Sequence, residues 1–314
     1  MNKFIYSNDN KRYHTLNYHI KSVFGRRIFK ASLDGGFTCP NKGGCTYCIS
    51  GGSEFSADSR ISVTEQIRLE RERIHKKYEN VDLIAYFQAN TNTYAPLERL
   101  KSLYEEALSC ENVVGLSVAT RADCIADDVL DYLEELSQRT YFTVELGLQT
   151  IHDKTAEKIN RGHSFECFLE TYKKLKERNI RVCVHLINGL PGETFEMMIE
   201  TAKVVGNLKP DAVKIHLLHI MQGTVMHKQF LNGEFEEMAF DDYIKTVCTQ
   251  LTYLPAETVI ERITGDGSKD KLVAPLWSIK KFEVLNAIDW EMERRNTLQG
   301  AGLHKLTNGK GIKA

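Results

Sequence analysis

The 314 residues are enough for one large α/β domain with an appendage, or for two domains. With 42% hydrophobic and 26% charged residues, and 41 Lys/Arg against 42 Asp/Glu, the composition is that of an ordinary soluble globular protein. No apolar run approaches a transmembrane span and the first residues show no signal-peptide pattern, so eight cysteines point to a reducing compartment; the expectation is a cytoplasmic protein with no membrane partner.

Charge is uneven at the start. Residues 1–30 carry Lys3, Lys11, Arg12, Lys21, Arg26, Arg27 and Lys30 against one acid, Asp9. Such an arm either contacts phosphates or is a solvated extension packed on the domain that follows. Ile28–Leu33 reads as the first strand. The loop after it holds Cys39-Pro-Asn-Lys-Gly-Gly-Cys45-Thr-Tyr-Cys48, three cysteines within ten residues. Gly43-Gly44 lets the backbone turn tightly there. Three thiolates rather than four would leave one iron of a four-iron cluster open to a further ligand. The loop by itself also fits a zinc site completed by a histidine, a redox Cys-x-x-Cys pair, or plain buried cysteines. Cys110, Cys124, Cys167, Cys183 and Cys248 are scattered and read as packing residues.

Ser62-Val-Thr-Glu65 resembles a capping box opening a charged amphipathic helix to about Tyr78. Leu83–Phe87 is the second strand, with the polar exit Gln88-Ala-Asn90-Thr91-Asn92-Thr93-Tyr94, and Pro96 opens a helix through Leu108. Val113–Ala119 is the third strand, ending in Thr120-Arg121-Ala-Asp123, and Asp127–Leu136 is helical. Phe142–Leu148 is the fourth strand, with Glu145 in it and Gln149 at its exit. Asn160-Arg161-Gly162-His163 and a helix from Phe165 to Glu177 lead to the fifth strand, Val182–Ile187, which exits through Asn188-Gly189-Leu190-Pro191-Gly192-Glu193. A helix then runs to about Gly206, and Ala212–Leu218 is the sixth strand, bearing Lys214 and His216. Six such βα units predict a parallel sheet wrapped by helices, either doubly wound or a curved partial barrel, with function at the carboxyl ends of the strands. Beyond His219 come a helix over Phe240–Leu251, a short strand Val259–Ile263 ending in Arg262-Ile-Thr-Gly-Asp266, and a helix over Ile279–Arg295.

On the cysteine loop, Val144-Glu145-Leu-Gly-Leu-Gln149-Thr, Asn160-Arg161-Gly-His163, Gly189-Leu-Pro191-Gly-Glu193, Lys214-Ile-His216 and Arg262-Ile-Thr-Gly-Asp266, the chain resembles the radical S-adenosylmethionine superfamily. More narrowly it resembles the bacterial radical SAM proteins related to Elongator's catalytic subunit and to oxygen-independent coproporphyrinogen oxidase. Five residues separate Cys39 from Cys45 where the superfamily usually has three, and the expectation is a protein without the acyltransferase domain that follows the barrel in Elongator's subunit.

The resemblance implies an α/β fold, a partial (β/α)6 barrel of the radical SAM type over 28–219, with a basic N-terminal extension, 1–27, and a C-terminal α/β cap, 220–314. It implies a [4Fe-4S] cluster on Cys39, Cys45 and Cys48, and S-adenosylmethionine cleaved reductively to methionine and a 5′-deoxyadenosyl radical. An electron donor such as flavodoxin or ferredoxin is the implied partner, and the substrate is tRNA or another RNA base, or a small metabolite. Arg161, twelve residues after Gln149, takes the position of an arginine on the methionine carboxylate. Gln88, Asn90 and Thr93 fall where the amino group is held, Thr120 and Arg121 near the ribose, and Gly189-Leu190-Pro191 beside adenine. Gln149 joins the cofactor-binding set, Glu145 contacts ribose or substrate, and His216, with His185 and His219, lines the substrate cavity. Glu145 and His216 are the candidate catalytic residues. Two other classes of function remain: a cluster- and cofactor-binding carrier without radical turnover, and a zinc protein.

Overall fold

The computed structural model describes residues 4–41, 43–49, 58–88, 90–265 and 269–303. The chain divides into two compact units, one of Ile20–Leu148 and Arg161–Cys183, the other of Met1–His19, Gln149–Asn160 and Val184–Ala314. In chain order the elements are α1 (Leu16–Phe24), β1 (Ile28–Leu33), α2 (Val63–His75), β2 (Asp82–Phe87), α3 (Leu97–Ser109), β3 (Val113–Thr120), α4 (Asp127–Arg139), β4 (Tyr141–Gln149), α5 (Asp153–Lys158), α6 (Phe165–Glu177), β5 (Val182–Asn188), α7 (Phe195–Leu208), β6 (Ala212–Leu217), β7 (Ile220–Met221), α8 (Val225–Leu231), α9 (Phe240–Tyr253), β8 (Val259–Arg262), β9 (Leu272–Ala274) and α10 (Lys281–Arg294).

In the unit that carries the cysteine loop, β1 pairs parallel with β2 from Ile28↔Asp82 to Leu33↔Phe87. β2 pairs with β3, and β3 with β4 from Gly115↔Tyr141 to Thr120↔Leu146. Gly115 is glycine for a steric reason: a Cβ there would lie 2.5 Å from the Tyr141 carbonyl oxygen. The Val144 amide, bonded to the Arg181 carbonyl at 2.9 Å, carries the ladder to the start of β5. Leu33, Leu83, Phe87, Leu116, Val118, Val144 and Leu146 are fully or almost fully buried. Runs buried on both faces are what a helix-covered parallel sheet requires, and each such side chain contributes about 1.5–3 kcal/mol.

In the other unit, the Leu218 amide donates to the Asn188 carbonyl at 2.9 Å, joining the ends of β5 and β6, and β6 pairs parallel with β8. The sheet runs β1-β2-β3-β4-β5-β6-β8, all its described pairings parallel, with β7 and β9 a separate antiparallel pair. The six expected strands are therefore joined by a seventh from the segment expected as a cap.

The N-terminal arm packs on later segments of the chain. Phe4, Tyr13 and His14 are buried, Thr15 bridges Ile260, and the Ile260 amide donates to the His14 carbonyl at 2.7 Å. Lys11 pairs with Asp289, and Arg12 donates to the Thr297 carbonyl at 3.4 Å. In the first unit, Arg26 pairs with Asp82 and Arg27 lies over the Tyr78 ring at 4.9 Å. A local excess of cations is thus answered by acids and rings distant in sequence. No helix among the described residues is long and apolar enough to cross a membrane.

α2 ends at His75, short of Tyr78, and only half of its capping box forms. Ser62 Oγ accepts the Glu65 amide at 3.2 Å, while the Glu65 carboxylate faces Arg68 at 2.6 Å instead of turning back to the cap.

Candidate cofactor site

The loop leaving β1 carries three free thiols, Cys39 and Cys48 exposed and Cys45 half-buried. Gly43 and Gly44 take positive φ of 80° and 68°, a conformation that a side chain would strain. The Gly44 amide closes a turn onto the Asn41 carbonyl and the Cys48 amide onto that of Cys45, each at 2.9 Å. The hydrogen bond from Cys48 is the main cause that brings the Cys45 thiol down to about 6, against burial and with help from Tyr47, Arg121 and Asn41. Cys48 is raised by that same bond and by the negative charge of Cys45 and Cys39. Burial pushes the Tyr47 hydroxyl up, and the Arg161 charge opposes that rise. Cysteine thiolates are the ligands of iron–sulfur clusters, and three free thiols lie in this loop, so the donor set fits such a group.

Arg161 is the largest fully buried side chain among the described residues, at 2% exposure. Its Nη1 donates to the Leu148 carbonyl at 2.5 Å, and its Nε and Nη2 to the His163 carbonyl at 3.0 and 2.8 Å. It thereby ties the end of β4 to the loop ahead of α6. Arg121 forks onto Asp123 at 2.9 and 2.8 Å, and its Nη1 donates to the Arg161 carbonyl at 2.6 Å. Burial alone would raise the Asp123 carboxyl, but the Arg121 fork holds it below the usual carboxylate value.

At the β2 exit, Gln88 is half-buried. Asn90, at φ 62°, donates to the Phe37 carbonyl at 2.9 Å. Thr93 and Thr120 share a hydroxyl hydrogen bond of 2.5 Å, and Thr93 also donates to the Cys124 carbonyl at 2.6 Å. Between them lies a residue not singled out from the sequence. Asn92 is fully buried, its Nδ2 donating to the Ala119 carbonyl at 2.8 Å, while its Oδ1 has no hydrogen-bond partner among the described residues. A buried acceptor without a donor suits an ammonium ligand. Nothing in the string Thr91-Asn92-Thr93 sets it apart, because the signal is burial. Glu145 is fully buried against Lys30 at 2.7 Å.

The second unit holds the remaining candidates. Gln149 ends β4 at φ 67°. Leu190 and Pro191 are buried, and a Cβ on Gly189, at φ 84°, would lie 3.2 Å from Met238 Cβ. The preceding Asn188 exchanges two amide hydrogen bonds with Gln250, both 2.8 Å. His216 and His185 are ring neighbours at 5.3 Å, and Lys214 faces Glu261 at 3.7 Å. Asp266 of the Arg262 motif lies outside the described residues. The structure thus brings Cys39, Cys45, Cys48, Arg121 and Arg161 together in one unit. There too it engages Thr93 with Thr120 and Glu145 with Lys30.

The sequence matches the family model described as Radical SAM superfamily over residues 36–205 and that described as Radical_SAM C-terminal domain over 210–294. The chain is 49% identical over 312 residues to the YtqA protein of Bacillus subtilis, covering 97% of each. It is 28% identical over 156 residues to a tRNA uridine(34) acetyltransferase of Methanocaldococcus jannaschii, 49% of this chain and 28% of that protein. Among solved structures, the archaeal Methanocaldococcus infernus Elp3 superposes with a TM-score of 0.67 at 19% identity, over 87% of this chain and 64% of that one. That likeness gives the architecture, a partial α/β barrel of the radical SAM type. Both matched segments together take in the cysteine loop and the strand exits, and the chain belongs to the radical SAM superfamily.

Proposed function

We propose that the protein is a radical SAM enzyme. It holds a [4Fe-4S] cluster through Cys39, Cys45 and Cys48, cleaves S-adenosylmethionine reductively, and modifies a tRNA or other RNA base, or a small metabolite. The observation that carries this reading is the set of three free thiols in one loop, beside the Arg121 and Arg161 charges, within the segment that matches the superfamily. A bound cluster would supply the one-electron reduction that reductive cleavage of S-adenosylmethionine requires.

The chain's own part is binding and orientation. Cys39, Cys45 and Cys48 would hold the cluster, and three thiolates rather than four would leave room for the methionine amino and carboxylate groups. Arg161 keeps a permanent positive charge near the carboxylate, held in place by the Leu148 and His163 carbonyls. Gln88, Asn90 and Thr93, now joined by Asn92, frame the amino group. Thr120 and Arg121 serve the ribose side and Gly189-Leu190-Pro191 the adenine side, with Gln149 in the same cofactor-binding set. Glu145 and His216 face substrate. A flavodoxin or ferredoxin is the electron donor, and the compartment is the cytoplasm.

Support for RNA comes from the related tRNA uridine(34) acetyltransferase, of which this chain matches a minor part. The arm weakens the case, since Lys11, Arg12 and Arg26 already have protein partners. A small metabolite is the second reading for that reason.

The test is anaerobic purification with iron, sulfide and zinc assays, followed by reduced incubation with S-adenosylmethionine, scored by mass spectrometry with and without bulk tRNA. Iron, sulfide and 5′-deoxyadenosine are expected. Stoichiometric zinc would turn the reading to a zinc protein. A loaded cluster that gives almost no 5′-deoxyadenosine would turn it to a carrier.

A further inference from the structure

Asn41, between the first two cysteines, touches two parts of the site at once. Its Nδ2 donates to Cys45 Sγ at 3.5 Å and to the Arg161 carbonyl oxygen at 3.4 Å. Both neighbours are acceptors, so the amide must present nitrogen rather than oxygen to them. The Arg161 carbonyl also takes the Arg121 Nη1 donor at 2.6 Å. From the other side, Gly162 packs against the same pair, and a Cβ there would lie 2.9 Å from Asn41 Oδ1 and 3.1 Å from Arg121 Nη2. At φ 85° Gly162 occupies a backbone conformation that disfavours any side chain.

We infer that Asn41 is a positioning residue that tunes the cluster: its amide hydrogen bond to the Cys45 sulfur makes reduction easier and locks the cysteine loop to the peptide that carries Arg161. This rests on the cluster reading proposed above. The physics is that of an N–H donor facing a sulfur ligand. Reduction adds negative charge to the cluster and its thiolates, and a fixed donor stabilises that charge more in the reduced than in the oxidised form. Gly162 is what lets the Arg161 loop come close enough for one amide to serve both acceptors.

The experiment compares the wild type with Asn41→Ala and Gly162→Ala, each as the full chain reconstituted anaerobically. Iron and sulfide are measured first, then the midpoint potential by redox titration followed in the visible absorbance. Both variants should keep the wild-type iron content, and both should shift the reduction equilibrium about tenfold toward the oxidised form, ~59 mV for one electron. If Asn41→Ala alone fails to hold iron, Gly162→Ala decides, because it displaces the same amide while every residue of the cysteine loop keeps its identity. Full iron with unchanged potential overturns the inference. So does loss of the cluster from both variants with the fold retained, since the amide would then serve assembly rather than potential. A wild type that binds no cluster sinks the cluster reading and this inference with it. A loaded wild type beside variants of unchanged potential sinks this inference alone.

Discussion

Lys30 and Glu145, 115 positions apart, meet through Nζ and Oε1 at 2.7 Å, with the carboxylate wholly shielded from solvent. The same ammonium lies 5.2 Å from the Tyr86 ring centre. Removing one partner of such a pair strands the other charge inside the protein. Glu145→Ala should therefore lower the stability of the folded chain by about 3 kcal/mol. The double variant Lys30→Met/Glu145→Leu should recover most of that loss. Urea unfolding checks both, and a Glu145→Ala protein as stable as the wild type would assign the carboxylate to ligand contact alone.

Replacing Cys39, Cys45 and Cys48 together with Ala should abolish bound iron and the visible absorbance of the anaerobically prepared protein. Single Ala variants of Cys110, Cys124, Cys167, Cys183 and Cys248 should keep both. Cys183 and Cys248 are fully buried, so their variants should lose stability rather than iron. Iron retained by the triple variant would remove the cluster from this loop.

Arg161→Ala should weaken S-adenosylmethionine binding roughly 10- to 150-fold, since one charge-assisted hydrogen bond is worth about 1.5–3 kcal/mol, and leave the iron content unchanged. The guanidinium also donates to the Leu148 and His163 carbonyls, so the same variant should unfold at lower urea. Calorimetry on the loaded protein separates the effects: lower stability with unchanged affinity would make Arg161 a purely structural tie.

The strands were legible because their signal is local. Ile28–Leu33 matches β1, and the other five expected parallel strands fall within a residue of β2 to β6 at each end. Runs of buried apolar residues bounded by polar exits identify such strands without knowledge of their partners. Lys11 with Asp289, Lys30 with Glu145 and Asn92 with Ala119 were not legible, since each depends on positions that only the fold brings together. α1, Leu16–Phe24, was missed because its short amphipathic pattern sits inside a stretch that reads as a charged arm. Three cysteines in ten residues stand out in any chain, whereas the role of Asn41 depends on a loop 120 residues away.

The Arg121–Asp123 fork gives a pH dependence with a definite sign. The folded Asp123 carboxyl lies below its ordinary value of 3.8, so the unfolded chain binds that proton more tightly. Its contribution is full above the ordinary value and is lost as the pH falls through the depressed one. The wild type should exceed Asp123→Asn in stability by about 1 kcal/mol at neutral pH, and that margin should close below about pH 4. A margin independent of pH would show that the fork contributes packing but no charge pairing.

The cations of the N-terminal region fall into two kinds, and RNA binding can tell them apart. Lys11 and Arg12 are engaged by Asp289 and the Thr297 carbonyl. Lys21 and Arg27 are exposed, with Arg27 resting on Tyr78. Removing a cation that pairs with a nucleic-acid phosphate flattens the dependence of log affinity on log salt by roughly 0.7–0.9. If tRNA is the substrate, Lys21→Gln/Arg27→Gln should flatten that slope by about 1–2, whereas Lys11→Gln/Arg12→Gln should leave it unchanged and lower stability. Filter binding of bulk tRNA from low to moderate salt, beside urea unfolding of both variants, gives the two readouts. Equal flattening by both pairs would mean that Lys11 and Arg12 leave their protein partners for phosphate. No measurable tRNA affinity in the wild type at low salt would decide for a small-molecule substrate.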